Sequence, residues 1–115
     1  MNNEYRISNL QMKYVSNTLP ELGFESIELK IWNALECVDP EDRFHLNPKR
    51  WANVKRDLVE GWYYMPWLYF DESRNRVSLM DGRHRCISIL NHTGVKNISF
   101  VYEKQWRSEI TNYFL

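Results

Sequence analysis

Val77-Ser-Leu-Met-Asp-Gly-Arg-His-Arg-Cys-Ile-Ser-Ile-Leu90 reads as a short strand, one glycine corner and an amphipathic helix that opens with three side chains able to carry positive charge. At Asp81-Gly82 the chain can turn sharply, because glycine adopts dihedrals closed to residues with a Cβ. Arg83, His84 and Arg85 then fall in the first helical turn, where backbone N–H groups lack intrahelical partners and the helix dipole favours negative charge. Cations are disfavoured there unless an anion joins them, so the pattern points to a phosphate site. The competing reading is that Arg85 pairs with Asp81 or Asp71 and the turn is only a turn. The residues alone leave both open.

Upstream, Trp67 to Phe70 and Val77 to Met80 flank the polar connection 71–76, which predicts an antiparallel hairpin. Asn47-Pro48 predicts a helix start, with Asn47 as N-cap and Pro48 at the first helical position. Trp51, Val54 and Leu58 give that helix an apolar stripe, and Gly61 can end it. Between residues 24 and 35 the pattern fits two periods. Ile27, Leu29 and Ile31 alternate as in a strand, while Phe24, Ile27, Ile31 and Leu35 recur as in a helix. Thr93-Gly94 can stop the helix after the corner, 98–102 reads as a further strand, and Trp106, Ile110 and Tyr113-Phe114 have helical spacing.

Asp81-Gly82-Arg83-His84-Arg85, with Ser88 at the small position, resembles the Gly-x-x-Arg-x-x-Ala/Ser signature of the ParB N-terminal and sulfiredoxin superfamily. Asn47-Pro48-Lys49-Arg50 is similar to the Asn-Pro-Arg segment of ParB-type domains, and Gly61 and Pro66 resemble their approach to the next strand. The resemblance spans roughly residues 25 to 102. It favours a strand for 26–29, and it implies a nucleotide or phosphate pocket in which Gly82, His84 and Arg85 match phosphate-contacting positions. Arg83 and Arg50 are candidates to assist them. Members of the superfamily bind and hydrolyse CTP, phosphorylate free serine, or use ATP to repair oxidised cysteine. The sulfiredoxin nucleophile corresponds to Arg83 here, and Cys86 lies about one helical turn away, so sulfiredoxin chemistry is not expected. A helix-turn-helix domain of the ParB kind is not expected to follow Tyr102.

The expected fold is therefore α+β: a compact single-domain mixed sheet with packed helices, ParB/sulfiredoxin-like. The expected organisation is an N-terminal arm over 1–24, a core over 25–102 and a C-terminal helix over 103–115 packed on that core. The arm is expected to be irregular or a short helix as far as Leu19-Pro20. The cofactor implied by the resemblance is ATP or CTP, with Mg2+ as a candidate companion. Asp81 is a candidate metal ligand or an orienter of a basic neighbour. Catalytic carboxylates are sought in Glu36, Asp39, Glu41 and the adjacent Asp42, which follow the first core element. Arg85→Ala is expected to weaken phosphate binding with little effect on folding.

The 115 residues suit one domain, and fifteen Lys and Arg balance fifteen Asp and Glu, so total charge makes no case for a nucleic-acid or anionic membrane partner. Cys37 and Cys86 form no disulfide framework or metal-ligand spacing, and His45, His84 and His92 are not at zinc-protease spacing. There is no Walker-type loop and no dinucleotide fingerprint. Neither a signal segment nor an apolar run of membrane-spanning length is present, so a cytoplasmic setting is expected. Five Trp, seven Tyr and five Phe, concentrated in 62–70, exceed what a small core needs. Three functional readings follow. The first is a small nucleotide-binding protein, with phosphotransfer or hydrolysis as its catalytic form. The second is a protein-interaction or regulatory module using aromatic surface. The third is a nucleic-acid accessory protein using Lys49, Arg50, Arg74, Arg76 and the Arg83-His84-Arg85 turn on phosphates.

Overall fold

A computed structural model describes residues 10–114. The chain begins with strand β1 (Gln11–Lys13), a 3-10 turn (Pro20–Leu22), strand β2 (Phe24–Lys30) and a short helix α1 (Ile31–Leu35). Helices α2 (Pro40–Arg43) and α3 (Pro48–Val59) lead into strands β3 (Trp62–Tyr64), β4 (Trp67–Asp71) and β5 (Arg76–Asp81). Helix α4 (Arg83–His92), strand β6 (Asn97–Glu103), a second 3-10 turn (Lys104–Trp106) and helix α5 (Arg107–Phe114) complete it. Residues 1–9 of the expected arm lie outside the described residues. From Leu10 onward the arm contains a strand rather than a short helix.

The segment with two competing periods contains both structures in succession. Ile27 and Leu29 face inward as a strand, and at Ile31 the chain turns into one helical turn that buries Ile31, Ala34 and Leu35. Helix α3 starts where its sequence dictates: the Asn47 carboxamide oxygen accepts from the N–H groups of Lys49 at 3.0 Å and Arg50 at 3.2 Å. Gly61, at φ +92, follows its last turn and redirects the chain into β3. The hairpin strands run further into the polar connection than the residues suggested, with Asp71 paired to Arg76. Asp71 caps the tight turn by accepting from the Ser73 N–H at 3.1 Å, and Asn75 takes the left-handed conformation.

The main sheet has the order β2-β6-β4-β5. Its pairs β2/β6 and β4/β5 are antiparallel, whereas β4 meets β6 in parallel through Trp67 and Val101. The Val101 N–H donates to the Pro66 carbonyl at 2.8 Å, so the two halves of the sheet join at the start of β4. β1 and β3 form a separate parallel pair. The core between sheet and helices is built from Ile31, Leu58, Leu68, Ile89, Phe100 and Ile110, all fully buried. α3 packs on α4, and α5 closes over β4 and β5 through Ile110. The molecule is thus one compact α+β domain.

One backbone approach limits the arrangement. Gly82 has φ +104, and a Cβ there would stand 2.4 Å from the Pro66 Cβ and 2.8 Å from the Pro66 Cα. Gly82→Ala should therefore cost at least about 2 kcal/mol, from left-handed strain and overpacking together. Gly23 also has a positive φ but no atom within 4 Å of an added Cβ, so Gly23→Ala should lose less. Urea denaturation of both variants checks this, and equal losses would contradict it.

Candidate functional site

The corner between β5 and α4 leads into a helix start without a side-chain cap. Gly82 occupies the N-cap position of α4 and offers no side-chain cap, and the first intrahelical bond runs from the Cys86 N–H to the Gly82 carbonyl at 3.0 Å. The N–H groups of the first turn therefore have no side-chain acceptor supplied by the cap residue, in contrast to those of α3. Asp81 and Arg85 lock together across this corner: Nη2 of Arg85 donates to Oδ2 of Asp81 at 2.7 Å. The other arm of the guanidinium, Nη1, donates to the carbonyls of Tyr64 and Met65, each at 3.2 Å. Asp81 and Arg85 thus form the ion pair that the competing reading of the corner expected. Arg85 is only 15% exposed and fastens three segments, so the expectation that Arg85→Ala would spare folding is corrected. Removing it leaves two carbonyls and a carboxylate without their donor.

His84 is 6% exposed and serves as an acceptor: the Asn47 N–H donates to its Nε2 at 2.8 Å. This bond ties the start of α4 to the cap of α3, and it requires Nε2 to be unprotonated. His84 therefore contributes to the site by fixing the relative position of two helix starts, with its Nε2 already engaged. Burial lowers its pKa, and the nearby charges of Arg83 and Arg50 lower it further. Arg83 extends the other way, donating from Nη1 to the Asp42 carbonyl at 2.6 Å.

Between α3, β3 and the corner lies an open groove of about 800 Å³. Arg50, Asp81, Gly82, Arg83, His84 and Arg85 all line it, so the structure brings together every corner residue and Arg50. The α3 side also carries Asn53, Arg56, Asp57 and Glu60, and Trp62 and Tyr64 of β3 line the groove as well. Arg50, Asn53, Val54 and Asp57 recur at i, i+3, i+4 and i+7, a helical stripe that the sequence displays but that the apolar stripe through Trp51 and Leu58 obscures. Asp57 was not among the expected carboxylates. Burial pushes its carboxyl above the ordinary range, against the lowering effect of Arg56 and Arg85.

The expected carboxylates divide. Asp39, Glu41 and Asp42 converge, each offering an oxygen within 4.8 Å of the others. Arg43 holds their segment against the end of α1 by donating to the carbonyls of Leu35 at 3.0 Å and Val38 at 3.1 Å. Asp39 is itself paired with Arg76 at 3.1 Å. A polar hollow of about 310 Å³ beside Asp39 and Asp42 shares Val38, Leu79 and Arg83 with the main groove. Hard carboxylate oxygens grouped in this way suit Mg2+ in charge and chemistry. Glu36 is exposed at the end of α1 and lines neither cavity. Both cysteines are buried, and burial pushes the Cys86 thiol up to about 12, which keeps it unreactive.

No helix among the described residues is long and apolar enough to cross a membrane. No family model, curated protein or solved structure matches this chain.

The His84 geometry carries a sign. The folded protein holds this imidazole neutral, whereas the unfolded chain protonates it below about pH 6.5, so the unfolded state binds more protons on acidification. Its contribution to stability is complete above that pH and is lost as pH falls through the depressed folded value. The stability gap between wild type and His84→Gln should shrink between pH 7.5 and 5.5, measured by urea midpoints. A gap independent of pH would contradict the acceptor role.

Proposed function

We propose that this chain is a small nucleotide-binding protein of ParB/sulfiredoxin-like type, whose groove takes the phosphates of a nucleoside triphosphate at the Gly82 corner. The observation that carries the reading is the convergence of Arg50, Arg83 and Arg85 with the open start of α4 on one groove. Guanidinium groups present directed donors suited to phosphate oxygens, and Gly82 supplies no side chain to cap the first turn of α4. Arg85 is pre-set by Asp81, so its orientation needs no ordering when an anion arrives. The triphosphate is ATP or CTP, the cofactors implied by the motif. In the catalytic form of the reading, phosphotransfer or hydrolysis, the carboxylates of Asp39, Glu41 and Asp42 hold Mg2+ beside Arg83.

A second reading has its own observation. Trp32 and Phe44 stack with ring centroids 6.1 Å apart while 45% and 58% exposed, an aromatic surface suited to a protein partner. It predicts a complex indifferent to nucleotide.

Calorimetric titration of ATP, CTP, GTP and ADP, with and without Mg2+, separates the two. Arg50 is exposed on the first turn of α3, so Arg50→Ala is the variant least damaging to folding. Wild type should bind a triphosphate, and Arg50→Ala should weaken that binding by about tenfold or more, the loss expected for one charge-assisted contact. Absence of binding by folded wild type across the panel would overturn the proposal.

A further inference from the structure

Strand β2 is one edge of the main sheet, and the bonds at its two ends show which of its backbone groups face outward. The Gly23 carbonyl accepts from the Lys104 N–H at 2.8 Å, and the Ile31 N–H donates to the Lys96 carbonyl at 2.8 Å. In an antiparallel pair, residues that exchange bonds alternate with residues that do not, so Glu25, Ile27 and Leu29 carry the ladder to β6. The backbone groups of Phe24, Ser26, Glu28 and Lys30 therefore point away from the sheet. β6 shows the same phase from its other side. Ser99 and Val101, opposite Glu28 and Ser26, donate away from β2, to the Tyr63 hydroxyl at 2.9 Å and the Pro66 carbonyl at 2.8 Å. Among the described residues, none bonds to the outward backbone groups of Ser26 and Glu28. The side chains of Ser26, Glu28 and Lys30 are exposed, and an exposed apolar residue stands beyond each end of the strand, Leu22 at 58% and Trp32 at 45%.

We propose that β2 pairs antiparallel with β2 of a second copy of this chain, with Ile27 on the two-fold axis, so that the sheet continues across a symmetric dimer. In that register Ser26 lies opposite Glu28 of the second copy, and the two exchange both of their outward backbone bonds. The Ser26 hydroxyl also donates to the Glu28 carboxylate. Phe24 lies opposite Lys30, whose ammonium is attracted to the ring. Leu22 approaches Trp32, so the two exposed apolar residues cover each other at both ends of the contact. On the inward face Ile27 meets Ile27, and Glu25, opposite Leu29, is already held by Arg107. Sliding the pairing by two residues sets Glu28 against Glu28 in one direction, and in both directions it separates Leu22 from Trp32. Charge and apolar cover therefore select the same alignment, while Glu28 and Lys30 discourage unrelated strands. The contact uses the same edge of both copies, so it closes at two. It names a partner for the exposed Trp32 and does not depend on nucleotide.

Sedimentation velocity of the full chain across a concentration series, without nucleotide, reads the association. Wild type should form a dimer and nothing larger. Ser26→Pro removes an N–H that the ladder to β6 does not use, so it should keep the urea midpoint near wild type while weakening dimerisation by about tenfold or more. Trp32→Ser, an exposed change outside the strand, should also weaken the dimer and serves if Ser26→Pro fails to fold. Cysteine cross-linking reads the register. At the axis Ile27→Cys faces its own copy across a non-hydrogen-bonded pair with about 4.5 Å between Cα atoms, so mild oxidation should give an intermolecular disulfide. Ser26→Cys, set against Glu28, should cross-link far less, and the two native cysteines are buried. A wild type that stays monomeric throughout would overturn the proposal. So would a dimer unaffected by these substitutions, or cross-linking that favours Ser26→Cys over Ile27→Cys. With no nucleotide present, each of these results leaves the phosphate reading as it was.

Discussion

The contact between Gly82 and Pro66 determines how the rest of the fold can be assembled. Pro66 is where β4 begins, and its carbonyl receives the bond from Val101 that joins the two halves of the sheet. Gly82 is where β5 ends and α4 begins, and its missing Cβ lets that corner sit directly on the proline. Arg85 secures the same junction from the side, through Asp81 and the carbonyls of Tyr64 and Met65. Strand order, helix direction and groove depth all meet at these few atoms. A larger residue at the corner would push α4 away from β4 and disturb the groove wall and the core together.

The same economy explains why the basic residues at the corner have two kinds of duty. His84 and Arg85 are mostly committed to the fold, the first to Asn47 and the second to three oxygen atoms. Arg50 lines the groove and is exposed, whereas Arg83 is half-buried and donates to the Asp42 carbonyl. The buried side chains thus position the first turn of α4, and Arg50 is the exposed cation beside it. Substitutions at His84 or Arg85 would therefore disturb the structure itself, whereas under the proposed nucleotide reading Arg50→Ala reports mainly on the ligand.

Much of this was legible from residue types acting locally. Asn47-Pro48 specified the start of α3 because a cap and a φ-restricted residue act within one turn. Asp81-Gly82 specified the corner because only glycine fits its dihedral. The stretch 24–35 resisted a single period because it is a strand followed at once by a helical turn. β1 and β3 escaped notice because each has three residues and their pairing is long-range, with all three β1 residues exposed. The convergence of Asp39, Glu41 and Asp42 follows from closeness in sequence, while the entry of Asp57 into the groove depends on how α3 rotates against α4. That rotation is set by the His84 bond and core packing, neither of which has a local signature. The exposed position of Glu36 reflects the same limit, since nothing adjacent to it specifies which side of α1 meets a cavity.

The central claim is that the open start of α4 receives a phosphate group. Backbone amide NMR of wild type titrated with a non-hydrolysable nucleoside triphosphate addresses it residue by residue. The account predicts the largest shifts at the N–H groups of Gly82, Arg83 and His84, with smaller ones along the groove at Arg50 and Tyr64. Shifts confined to the aromatic surface at Trp32 and Phe44, or none at the corner at saturating ligand, would contradict it.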